Sequence, residues 1–250
     1  MKLRVLDHGY VELVEAWGRG VKPLPTNLHE QDHVDYEAGI IEAARQSTQG
    51  SFRGWEKDAK LLKHLYEHKH ATPFEFAGMV IEVQAPLFVF REWHRHRTQS
   101  YNEMSARYEP LPDIYYEPSV GNVLDRANEA TKTKNKQAQN ATAAMMAPAD
   151  ANHWVDMVKE FYTQAEDLYQ VGLSLGIPKE LARVVMPVGH YSRMRASANL
   201  RNWLAFLTLR MDPKAQWEIR QYAYAVGHCI AEAFPKTWKL FVDENPQVGT

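Results

Sequence analysis

Cysteine occurs once, at Cys229, in a chain of 250 residues. That excludes an internal disulfide framework and a zinc site built from several thiolates, and it fits a reducing, cytoplasmic setting. Charge of one sign is lacking too: 29 Lys+Arg stand against 31 Asp+Glu, a formal net charge of −2. A dedicated nucleic-acid binder carries a basic excess, so anion recognition here has to come from local clusters. The opening MKLRVLDHGYVELVEAWG has no continuous apolar stretch of the signal-peptide kind, and no later run is long and apolar enough to span a bilayer. No membrane association is expected. Internal repeats are missing, and no GxGxxG follows a strand-like segment, so nothing supports a Rossmann-type dinucleotide site.

What is present suffices for one core. The chain is 45% apolar, and its length forces no second domain, so a single compact domain over 1–250 is expected. Residues 3–17 alternate loosely and read as a strand or hairpin. DYEAGIIEAARQ (35–46) sets an acidic cap before an amphipathic run, and WEKDAKLLKHLYEHKH continues the helical pattern to His70. GMVIEVQAP then alternates Met79, Ile81 and Val83 inward as a half-buried strand, and Pro86 suits the start of a short helix. A long helix is expected from His153 to Gly176, where glycine followed by Pro178 marks its end. MPVGHYSRMRASANL alternates again, and NLRNWLAFLTLRM and KAQWEIRQYAYAVGHCIAEAF read as two further helices. The sum is an α+β fold, a mixed sheet packed with long helices. Residues 121–152, rich in Ala, Asn, Lys and Thr, contribute little core and read as a flexible insertion or an exposed marginal helix.

The densest chemical signal is Arg91-Glu92-Trp93-His94-Arg95-His96-Arg97, followed by TQSYNEMSARY to Tyr108. Guanidinium forks match phosphate oxygens, and Glu103 can accept hydrogen bonds from a sugar or base. A charge run is most often a solvated face, but Ser100, Asn102, Ser105 and Arg107 extend this one into a polar loop without helical period, a common place for a site.

Here the chain resembles the flavin-dependent thymidylate synthases. Arg95-His96-Arg97, seven residues, then Ser105 match their RHR-x7-S signature, within the fuller RHRxxSxNExSxRY ending at Tyr108. Arg45 and Ser47, His70-x-Thr72-Pro73-Phe74-Glu75, Arg183-x-x-Met186-Pro187, Asn199-x-Arg201 and LRMDPKAQWEIRQYA resemble other elements of the family. The resemblance implies reductive methylation of dUMP to dTMP, with FAD as cofactor, NADPH as reductant, methylenetetrahydrofolate as carbon donor and no metal. It implies a homotetramer with active sites shared between subunits. FAD contacts would come from Ser47, His70, Thr72, Arg95, His96, Arg97, Glu103, Asn199, Arg201 and the Ala205 position. Contacts with dUMP would come from Glu92, Arg95, Glu103, Ser105, Arg107, Arg183 and Arg210. Of these Arg210 is the catalytic residue, its fixed charge stabilising the anion that develops on the pyrimidine. If 199–210 were one helix, Asn199 and Arg210 would lie about 20° apart in phase and about 16 Å along the axis.

Three positions depart from the family pattern. Glu92 stands where glutamine is common and would repel a phosphate unless it faces the base; Ala205 replaces a frequent asparagine, and Phe76 a frequent histidine. Cys229, in an apolar helix, reads as a small core residue, which leaves the chain without the cysteine nucleophile of the folate-only synthases. Competing readings are a same-fold dUMP hydroxymethylase, a metal site on His64, His68 and His70, and a single-stranded nucleic-acid module built on His94–Arg97 with Tyr101, Tyr108, Tyr115 and Tyr116.

Overall fold

The computed structural model describes residues 1–18, 35–48, 50–132 and 144–246. In chain order the strands and α-helices are β1 (Lys2–Val5), β2 (Gly9–Trp17), α1 (Ala38–Arg45), α2 (Trp55–Glu67), β3 (Gly78–Pro86), α3 (Leu87–Trp93), β4 (Ser100–Glu103), α4 (Val120–Ala130), α5 (Pro148–Ser174), α6 (Lys179–Ala182), β5 (Tyr191–Asn199), α7 (Leu200–Arg210), α8 (Trp217–Ala233) and α9 (Pro235–Glu244). The α+β class is as expected. Two compact units are resolved, one formed by Met1–Met104 with Ser192–Thr250, the other by Ser105–Tyr191.

The first unit holds a five-stranded sheet in the order β1-β2-β3-β5-β4. The β1–β2, β2–β3 and β4–β5 pairs are antiparallel. The opening segment is the expected hairpin, with a register shift between Leu13 and Glu15. Alternation decides which face is covered: Met79, Ile81 and Val83 of β3 and Met194, Ala196 and Ala198 of β5 are buried against α3, α7 and α8. Trp93 stacks on Phe206 at 4.7 Å, and the Trp203 indole donates to the Met79 carbonyl at 3.1 Å. Each such aromatic contributes roughly 2–3 kcal/mol by burial. Gly78 is needed for close approach, because a Cβ there would lie 2.3 Å from the Trp17 ring and 2.5 Å from the Ala198 carbonyl oxygen.

Two elements were not expected. Residues 100–103, read as irregular loop, form β4, in which Ser100 and Asn102 are exposed and Tyr101 packs against the core, a strand held by pairing Ser100–Glu103 with Ser197–Met194. Helix α9 follows the last expected helix directly. Its first turn is capped from the far end of the sequence by the buried Glu37 carboxylate, which accepts from the amides of Lys236 (3.0 Å) and Thr237 (2.5 Å).

In the second unit, α5 begins at Pro148, earlier than expected at His153, because Pro148 occupies the first turn and Asp150 is favourable at a helix N-terminus. It ends as expected: Gly176 has φ 79° and its amide bonds to the Leu173 carbonyl, while Ile177 bonds to Gly172, a Schellman motif. Within 121–152, α4 reaches Ala130 behind an N-cap on Ser119, and residues 133–143 lie outside the described residues. Tyr115 stacks on Tyr162 at 4.7 Å and donates to Glu166 at 2.8 Å, tying the chain before α4 to α5.

Candidate active site

Pro86 ends β3 and is the N-cap of α3, whose last turn carries Glu92, and the tight turn that follows carries Arg95–Arg97. Tyr101 fixes that turn by donating to the carbonyls of Trp93 (3.1 Å) and His96 (2.7 Å), and Gln99 accepts from the Trp93 indole at 3.1 Å. Helix α7 meets the turn from the other side. Its N-cap, Asn199, accepts from the Asn202 amide at 2.9 Å, and Asn202 in turn donates to the Thr98 carbonyl at 3.2 Å. Asn199 thus precedes the helix rather than sharing its face with Arg210.

Arg210, the last residue of α7, anchors the site. Its Nη1 donates to Glu92 Oε2 at 2.8 Å, its Nη2 to the Glu92 carbonyl at 2.9 Å, and its Nε to His96 Nε2 at 2.9 Å. Three of five guanidinium N–H groups are so engaged, and two remain for a ligand. Burial and then the neighbouring guanidinium push the His96 imidazole down to about 4. At neutral pH the ring is uncharged, and since Nε2 accepts from Arg210 its proton sits on Nδ1. The expectation that Glu92 would repel a ligand phosphate is altered by this pairing, which offsets its charge.

Two clefts are formed by residues of the first unit. One, of ≈ 160 Å³, is lined by His70, Phe74, Arg201, Leu204, Ala205 and Thr208 among others, and so gathers three residues expected at the flavin. Arg201 is steered by an ion pair with Glu75, which the sequence reading did not single out as its partner. The second, of ≈ 230 Å³, holds the expected Glu103 beside Asn102, Glu82, Arg193 and Arg195. Arg193 and Arg195 were missed, although the alternation of β5 places them on its exposed face. Thr72 opens the turn Thr72–Phe76, and Ser47 lies in a short turn, donating to the Ala44 carbonyl at 3.0 Å. Arg95 and Arg97 are exposed, and no ion pair engages either one among the described residues. Ser105, Arg107 and Arg183 belong to the second unit, where Arg107 pairs with the Glu180 carboxylate at 2.7 Å and Arg183 donates to the Glu180 carbonyl at 3.3 Å.

The other candidates are quieter. The His64 and His68 rings lie 4.1 Å apart in a tilted arrangement, and among the described residues no group of three or more His, Cys, Asp or Glu is arranged to hold a metal. Cys229 is buried in α8 and its thiol is pushed up to about 11 by burial, the opposite of an activated nucleophile.

A family model described as thymidylate synthase complementing protein matches residues 31–236. The chain belongs to the flavin-dependent thymidylate synthase family. It is 33% identical over 241 residues to a flavin-dependent thymidylate synthase of Thermus thermophilus, covering 96% of this chain and 78% of that one. To that of Thermosipho africanus it is 33% identical over 244 residues, covering 97% and 94%. A crystal structure of the UMP/dUMP methylase PolB from Streptomyces cacaoi bound with 5-Br UMP superposes with a TM-score of 0.75 at 29% identity, covering 96% of each chain. Membership favours the synthase reading over a hydroxymethylase or a nucleic-acid module, and it makes the chain a flavin-dependent methylating enzyme. Among the described residues no helix is long and apolar enough to cross a membrane.

Proposed function

We propose that this flavin-dependent thymidylate synthase uses FAD, takes dUMP as substrate, methylenetetrahydrofolate as carbon donor and NADPH as reductant, and works as a homotetramer with shared active sites. The observation that carries the reading is the guanidinium of Arg210, oriented by Glu92 and His96 with two N–H groups left over. Aimed at the imide edge of a uracil ring, it stabilises negative charge developing there as C5 becomes nucleophilic. His96 stays neutral across the working range and acts as an acceptor that fixes the Arg210 fork, so the site keeps a positive charge beside the base without adding a second.

The donor set fits a flavin. A largely apolar cleft with the His70 imidazole and the Arg201 guanidinium at its wall suits a flat, hydrogen-bonding ring system, and the exposed Arg95 and Arg97 suit its diphosphate. Ser47, Thr72, Glu103 and Asn199 complete the residues that would hold it. When bound, the flavin supplies the hydride, a role that no side chain of this protein can take. Arg95, Ser105, Arg107 and Arg183 are assigned to the nucleotide phosphate and sugar. With Cys229 buried and protonated, activation of the pyrimidine rests on charge and orientation instead of a covalent thiolate adduct.

Mass spectrometry of the nucleotide formed under anaerobic incubation with FAD, NADPH and methylenetetrahydrofolate tests this, with dUMP and UMP offered separately because PolB is a methylase of both. A dTMP product supports the reading. A hydroxymethyl product, or unchanged dUMP in the presence of bound flavin, overturns it.

A further inference from the structure

Helix α1 is fastened at both ends to the first turn of α2. At its start, Asp35 Oδ1 accepts from the amides of Glu37 (3.2 Å) and Ala38 (3.3 Å), and the other carboxylate oxygen accepts from the Trp55 indole. At its end, Arg45 donates from Nη2 to Asp58 Oδ1. The Asp58 side chain is 0% exposed and that of Arg45 14%, so this ion pair is a buried one. Asp58 Oδ2 accepts from the Arg53 amide at 2.6 Å. One carboxylate therefore holds both sides of the segment that leads from α1 into α2.

That segment carries Ser47. Its turn, Gln46–Thr48, buries no side chain of its own and is closed on Arg45, whose carbonyl accepts from the Thr48 hydroxyl and from the Gly50 amide, each at 3.1 Å. The place of the turn is thus set by Arg45. Among the described residues the Arg45 guanidinium has Asp58 as its one acceptor, and its Nε is buried without a partner. A buried ion pair adds little net stability, because desolvation offsets the attraction; what this one sets is the geometry of the groups it joins. We infer that Asp58 is a positioning residue for FAD, holding the Ser47 turn, through Arg45, where the Ser47 hydroxyl meets the cofactor. The inference rests on the flavin reading above, in which Ser47 is one of the contacts, and extends it to a side chain too buried to touch the cofactor itself. Helix α1 also packs against the turn Thr72–Phe76, so Ser47 and Thr72, both assigned to the flavin, share one support.

Titration of the flavin-free full chain with FAD, followed by flavin fluorescence, tests the role. Arg45→Met combined with Asp58→Asn leaves no charge buried alone, and the asparagine carbonyl still accepts from the Arg53 amide. The thermal midpoint of that flavin-free variant is expected to stay near wild type while its Kd for FAD rises about tenfold. Ser47→Ala is expected to raise Kd about fivefold in the wild-type chain, the scale of one hydrogen bond, and by less than about twofold in the double variant, where the turn is already displaced. Arg45→Lys keeps the pair, since a single guanidinium nitrogen makes it, and is expected to bind FAD within about threefold of wild type. If the double variant does not fold, Arg45→Gln, which leaves Asp58 in place, carries the same comparison. A wild-type chain that does not bind FAD overturns the flavin reading and the positioning role with it. In a chain that does bind FAD, the positioning role alone is overturned by any of three results. These are wild-type affinity in Ser47→Ala or in the double variant, an equal cost of Ser47→Ala in both backgrounds, and a loss in Arg45→Lys as large as in the double variant, which would make Arg45 itself a contact.

Discussion

Arg210 and Glu92, 118 residues apart in sequence, are joined twice: Nη1 to the carboxylate at 2.8 Å and Nη2 to the backbone carbonyl at 2.9 Å. The double link holds the guanidinium in one plane at the end of α7, whereas a side-chain contact alone would let it swing. A glutamine carbonyl at position 92 can accept from the same N–H as the Glu92 carboxylate. Glu92→Gln is therefore expected to keep kcat within about threefold, while Glu92→Ala, which leaves only the carbonyl link, should lower kcat/KM by about fivefold, the equivalent of a partly exposed ion pair worth about 1 kcal/mol. Steady-state kinetics on both variants checks the order.

The low value of His96 carries a pH signature. Its folded value near 4 lies below the ordinary 6.5, so the unfolded chain binds the proton more readily. The contribution of the neutral ring to stability is complete above about pH 6.5 and is lost as pH falls toward 4. Denaturation midpoints between pH 7 and 4 should fall more steeply for the wild type than for His96→Asn, which keeps an acceptor and does not titrate. Equal slopes would remove His96 from the account.

The cap on α9 is testable by stability alone. Glu37 supplies both acceptors to the first turn of that helix from a site that is 1% exposed. Its removal leaves two buried amides without partners. Glu37→Ala is expected to cost about 2 kcal/mol or somewhat more, with loss of helical signal confined to the C-terminal segment in hydrogen exchange. Unchanged protection of Lys236 and Thr237 would contradict it.

How far the fold was legible depended on how local its causes are. Strand β3 and the end of α5 were readable because alternation, and a glycine in the left-handed region, act within a few residues. Helix α9 was not, since its cap comes from Glu37, about two hundred residues earlier. Strand β4 was hidden for a related reason: its polar side chains carry no apolar alternation, and only pairing with β5 makes it a strand. In the site, the arginine-rich motif named the residues and gave the family, but it did not disclose what Arg210 binds. Glu92 looked like a misplaced negative charge until the fold set it against a guanidinium. The same limit hid Arg193 and Arg195, whose place in a cleft with Glu103 follows from sheet register.

The central claim is that the charge of Arg210 activates the pyrimidine, and single-turnover oxidation of the pre-reduced, flavin-loaded enzyme by dUMP and methylenetetrahydrofolate tests it most directly. In Arg210→Ala the flavin spectrum and thermal midpoint should stay close to wild type while the rate of dTMP formation falls by about 10²–10³, the scale for removing one fixed transition-state donor. Formation of dTMP at the wild-type rate by that variant would contradict the account.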